Sequence, residues 1–201
     1  MDSRGQLKPF FGDTVVFLLD EPVMERLAGI QGELDRCCAH ILAKPLDKST
    51  LHLTLHDLNS GSELTDELSF RMERSYGQAC RLLREIRERG PMKIAMKSTW
   101  LFNMMNTSVV LGFAPVDEDN CRKLMGLYEA FQSVVKLPYR LTPHITMAYY
   151  QPGVYPWTQL EGLEQVIRQV EKEGPLYLEL DAEKLVYQRF TSMDRYETWE
   201  Y

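Results

Sequence analysis

Two tetrapeptides of the chain, His52-Leu53-Thr54-Leu55 and His144-Ile145-Thr146-Met147, place a histidine two residues before a threonine. Cleaving a phosphodiester needs one group that takes a proton from the attacking oxygen and another that gives one to the leaving oxygen, and histidine does either near neutral pH. Two threonine hydroxyls would meanwhile donate to the non-bridging oxygens as charge builds there. On a strand, residues i and i+2 share a face, so each tetrapeptide presents imidazole and hydroxyl about 7 Å apart on one side. Two such strands brought together would grip one phosphate, with His52 and His144 moving protons and Thr54 and Thr146 holding it. That scheme requires no metal, and it leaves open which histidine is the acid and which the base.

Neighbouring side chains extend this constellation. Strand alternation puts His56 on the face of His52, about 13 Å along the strand, where a structural role at the cleft edge is expected. A zinc triad of His52, His56 and His144 is disfavoured, because His-x-x-x-His converges on one metal from a helix and not from a strand. Arg140, four residues before the second motif, is either a phosphate-neutralising group or an ordinary solvated arginine. Alternation also places Tyr150 with His144, to stack on a base or simply to fill space. Trp100 and Phe102 share a strand face and most simply belong to a core; His40 reads as a helix-end histidine.

Both motifs must sit on strands held by a larger frame. Leu51 to Leu58 alternates apolar with polar and is closed by the turn residues Asn59-Ser60-Gly61-Ser62, while Thr142-Pro143 leads into a strand from His144 to Tyr150. Thr14 to Leu19 is a buried strand, and Val23 to Ile41 recurs at helical spacing. A long amphipathic helix over Thr65 to Arg89 stops at Gly90-Pro91. Met92 to Phe102 and Thr107 to Phe113 form a hairpin, Asp117 to Val135 a helix, Trp157 to Lys172 a last helix, and Leu176 to Leu180 and Lys184 to Phe190 two closing strands. A strand, helix, motif strand, helix series thus recurs after Met92, which reads as an internal duplication. The expected fold is α+β: a single domain over residues 1–201 made of two duplicated lobes, with two antiparallel-rich sheets facing a central cleft and helices outside.

Bulk properties narrow the partners. At 201 residues, 44% hydrophobic and 26% charged, the chain reads as globular. No apolar run approaches the ~20 residues that cross a bilayer, and the N-terminus has no secretory pattern, so a cytoplasmic protein is expected. The four cysteines, Cys37, Cys38, Cys80 and Cys121, lack metal or redox spacing and read as free thiols. A net charge of −6 argues against wrapping a long nucleic acid and favours a small molecule or a short RNA end.

The doubled H-x-T-x pattern, each copy on a strand, resembles the 2H phosphoesterase superfamily, whose members include RNA 2',3'-cyclic phosphodiesterases (2'-5' RNA ligase-like proteins). The stretch Leu141-Thr142-Pro143-His144-Ile145-Thr146 resembles the pre-motif segment of bacterial members, and the ending from Leu185-Val186-Tyr187 through Tyr196-Glu197-Thr198-Trp199 resembles their closing strand pair. The resemblance implies a bilobal pseudo-twofold fold, both motifs in one cleft, and no cofactor. The sequence departs from the simplest pattern by adding His56 and by lacking a basic cluster beside the first motif. The reading that follows is a monomeric, metal-independent hydrolase of a 2',3'-cyclic phosphate or related phosphodiester on nucleotides or RNA ends. The alternatives are a non-catalytic nucleotide-binding module with the same cleft, or a small RNA ligase or exonuclease.

Overall fold

The strand-like and helix-like runs are realised as eight strands and four helices in the computed structural model of the chain, which describes residues 1–2 and 5–200. They are β1 (Phe11–Leu18), α1 (Glu21–Cys38), β2 (His52–Gly61), α2 (Asp66–Glu88), β3 (Lys93–Met104), β4 (Ser108–Pro115), α3 (Glu118–Phe131), β5 (His144–Tyr149), α4 (Trp157–Glu173), β6 (Tyr177–Asp181), β7 (Leu185–Ser192) and β8 (Arg195–Thr198). The architecture is α+β, as expected. One four-stranded sheet has the order β2-β1-β7-β8 and the other β5-β4-β3-β6, with every neighbouring pair antiparallel. Each motif strand is the edge strand of its sheet, and β2 and β5 approach one another across the gap between the sheets.

The helices lie in two pairs, α1 with α4 and α2 with α3. One helix crosses over. α1 follows β1 yet packs on β5, while α3 packs on β3 and β4 of its own sheet and reaches β2 as well, where it joins α2. Amphipathic spacing drives this: α1 buries Leu27, Gln31, Leu34 and Cys38, and α3 buries Leu124, Leu127, Tyr128 and Phe131. The motif strands answer with Leu53, Leu55, Ile145 and Met147, each at most 1% exposed. Burying such a side chain is worth about 1.5–3 kcal/mol. Local signals set the helix ends. Thr65 accepts a hydrogen bond from the Leu68 amide and Asp117 one from the Asn120 amide, while Gly90 ends α2 at a φ of +93°.

Three boundaries differ from the sequence expectation. Asn59-Ser60-Gly61 is the end of β2 and not a turn, because the buried Asp13 carboxylate accepts from the Asn59 amide at 2.8 Å and its side chain at 2.9 Å, holding these residues against β1. Gly12 is required there: a Cβ would stand 2.2 Å from the Asn59 carbonyl oxygen. α3 stops at Phe131, short of Val135, where Gln132 turns its side chain to the Leu137 amide. The β3–β4 hairpin closes on Met105 and Asn106, both left-handed at φ +52° and +57°, with the Thr107 amide donating to the Met104 carbonyl. This is a type I′ turn with a methionine where Asn or Gly is usual. No helix among the described residues is long and apolar enough to cross a membrane, and the four cysteines are free.

Candidate active site

Both motif strands carry one extra residue immediately after the threonine. In β2, Val16 pairs with Thr54 and Val15 with His56, so Leu55 bulges; in β5, Val110 pairs with Thr146 and Val109 with Ala148, so Met147 bulges. The two bulges occupy the same position of the two motifs. Up to that point alternation holds: His52, Thr54, His144 and Thr146 are half-buried and line one cleft of about 1100 Å³, while the intervening residues are in the core.

The two histidines are tethered alike. His52 Nδ1 lies 2.8 Å from the Thr50 carbonyl and His144 Nδ1 2.7 Å from the Thr142 carbonyl. A carbonyl only accepts, so each Nδ1 carries the hydrogen and each neutral ring keeps its lone pair on Nε2. This orients two imidazoles for proton transfer at Nε2. Burial pushes His52 down to about 4, against the opposing pull of the Thr50 carbonyl and Asp57 and with a small further push from His144. Tyr196 of β8 sets its ring edge-on to His52, with centroids 4.7 Å apart. On the other side Tyr149 stands beside the Thr146 hydroxyl, and burial raises its phenol to about 12.

A bulge inverts the alternation beyond it, and two expected positions move accordingly. His56 borders the cleft, as expected, but is not on the face of His52: it is 1% exposed, lies against the rings of Tyr128 and Phe131 on α3, and its Nδ1 bonds the Asp57 carbonyl. Its structural role is consistent with that position. Tyr150 is likewise not with His144, because Met147 shifts the phase; Tyr149 takes the cleft and Tyr150 packs on the core beside a bridge to Leu42. Arg140 does line the cleft, exposed beside Tyr139. Phe102 lines it too, whereas Trp100 is 58% exposed on the outside of the wall and fills no core. Among the described residues no three His, Cys, Asp or Glu side chains are grouped to hold a metal ion.

Several solved structures share this arrangement of sheets and helices. A conserved protein of unknown function from Agrobacterium tumefaciens aligns with a TM-score of 0.68 at 15% identity, covering 99% of this chain and 88% of that one. A Thermus thermophilus protein aligns at 0.58 and 18%, covering 94% and 95%. Escherichia coli LigT, solved in complex with 3'-AMP, aligns at 0.50 and 12%, covering 96% and 97%. The chain has the 2H phosphoesterase fold. No family model matches its sequence, and no curated protein matches it in sequence.

Within this 2H fold four cleft residues escape the sequence reading: Asp57, Tyr139, Tyr149 and Tyr196. Asp57 and Tyr149 are the register equivalents of one another, opposite Thr14 and Ser108 respectively. A bulge after each threonine would have pointed to both. Tyr139 sits on the segment between α3 and β5, with its phenol donating to Asp57 Oδ2 at 3.0 Å. Nothing local in the sequence marks it.

Proposed function

We propose that this chain is a phosphoesterase that opens a 2',3'-cyclic phosphate, or hydrolyses a related phosphodiester, on a nucleotide or short RNA end. The observation that carries this reading is the matched pair of histidines, each fixed through Nδ1 so that Nε2 meets the cleft, each with a threonine hydroxyl on the same face. A site needs an acid, a base and donors to a developing phosphorane, and these four side chains supply them without requiring a metal. His52, neutral through the physiological range, takes the proton of the attacking water on Nε2 as the water oxygen bonds to phosphorus. One ring P–O bond breaks, and its oxygen takes the Nε2 proton of His144 in its cationic form, leaving a phosphomonoester and a hydroxyl. The same reading treats residues 1–201 as one domain of two duplicated lobes, with the shared bulge as support. That LigT, of like fold, was solved with 3'-AMP supports a nucleotide-sized ligand.

The test is turnover of nucleoside 2',3'-cyclic phosphates by the EDTA-treated protein, repeated with His52→Ala and His144→Ala. Turnover lost in both variants supports the enzyme. Nucleotide binding without turnover of any phosphodiester replaces it with a non-catalytic binding module.

A further inference from the structure

The twofold likeness of the two motif strands ends at one position. His52 matches His144, Thr54 matches Thr146, Leu55 matches Met147, and His56 matches Ala148 as a buried residue; the next pair, the first to re-enter the cleft, is Asp57 and Tyr149. One wall therefore presents a carboxylate where the other presents a phenol. A carboxylate in a cleft built for a phosphodiester repels the substrate unless it accepts hydrogen bonds from it. The other carboxylate lining this cleft, Asp13, is already occupied by Ser75, Asn59 and Tyr187. Asp57 is exposed, and the Tyr139 phenol donates to its Oδ2. Tyr139 is itself anchored, its carbonyl accepting from the Tyr128 hydroxyl at 2.6 Å, while the residue stays 53% exposed.

We propose that Asp57, braced by Tyr139, is a specificity-determining residue that accepts hydrogen bonds from the amino edge of a nucleobase; the assignment rests on the phosphodiesterase reading of the same site. Cytosine, adenine and guanine offer exocyclic N–H donors to a carboxylate. Uracil offers one N–H flanked by two carbonyl oxygens, which meet the carboxylate as like partial charges. The exposed Tyr139 ring gives the base a face to lie on.

The experiment measures kcat and KM for cytidine and uridine 2',3'-cyclic phosphates with the wild type, Asp57→Asn and Tyr139→Phe, with thermal unfolding of each variant alongside. The wild type should prefer cytidine, and Asp57→Asn should lower the cytidine-to-uridine ratio of kcat/KM by about tenfold, the scale of one hydrogen bond to a charged group. The change should fall on KM, and Tyr139→Phe should give a smaller change in the same direction. An unchanged ratio overturns the proposal, and so does an equal loss of kcat on both substrates, which would mean that Asp57 acts through His52. If the wild type turns over neither substrate, the phosphodiesterase reading fails, and the subsite is judged by titrating cytidine and uridine 3'-monophosphates. A cytidine preference lost in Asp57→Asn then supports it, and equal binding overturns it.

Discussion

Gln31 of α1 donates from Nε2 to the main-chain carbonyl of Met147 at 3.0 Å, joining two buried residues 116 positions apart. Met147 is the bulged residue of β5, so its carbonyl drops out of the ladder and needs another donor. Gln31→Met keeps the volume and removes that donor. We expect it to lower stability by about 1–3 kcal/mol, read from urea unfolding, and to loosen the strand that carries His144 and Thr146. Unchanged stability would show that the bulge needs no such support.

The four motif side chains should differ in what they contribute. Replacing either histidine by alanine is expected to lower kcat by about 10²–10⁴. Thr54→Ala and Thr146→Ala should each lower it by about 10², and serine at either position should restore most of the loss because it keeps the hydroxyl. A serine variant as inactive as the alanine one would contradict phosphate holding by these hydroxyls.

Protonation of His52 gives the pH dependence a definite sign. Its folded value, about 4, lies below the ordinary 6.5, so the unfolded chain binds the proton first as pH falls. Stability is at its full value above 6.5 and declines as pH drops from 6.5 to 4, by up to about 1.4 kcal/mol per unit from this group. Chemical unfolding across that range should show a steeper decline in the wild type than in His52→Gln. The acid limb of kcat/KM set by His52 should lie near 4, and a limb near 6.5 assigned to His52 by mutation would contradict its desolvation.

Met105, 85% exposed at the cleft rim, holds a left-handed backbone conformation that L-residues with long side chains avoid. Met105→Asn suits a type I′ turn, and we expect it to stabilise the chain by about 1 kcal/mol. A melt showing no gain would place the strain elsewhere.

The frame and the motif residues are legible in the sequence because they rest on local signals. Period-two alternation marks the strands bearing His52 and His144, and Gly90-Pro91 and Asp117 mark helix ends. What is not legible depends on distant partners. The bulges at Leu55 and Met147 follow from register against β1 and β4 and, at Met147, from Gln31 on a helix that follows a strand of the other sheet. Alternation therefore assigns His56 and Tyr150 to the wrong face, although the rule is correct for an uninterrupted strand. Asn59-Ser60-Gly61, turn formers by composition, stay extended because Asp13 on the neighbouring strand holds them.

The bulge at Leu55 also sets a reading frame for the chain beyond it. The extra position gives His56 and Asp57 the sides they have: an uninterrupted strand of the same sequence would turn His56 to the face of His52 and Asp57 away from it, whereas deleting Leu55 would close a regular ladder of Thr54 and His56 on Val16 and Val15 with both sides kept. Pairing without the bulge would thus exchange an acceptor of hydrogen bonds for a titratable imidazole on the face of His52 without changing either amino acid. The half of the strand that carries His52 and Thr54 and the half that carries Asp57 are thus joined through a phase element at Leu55, and a second register shift follows between Asp57 and Asn59.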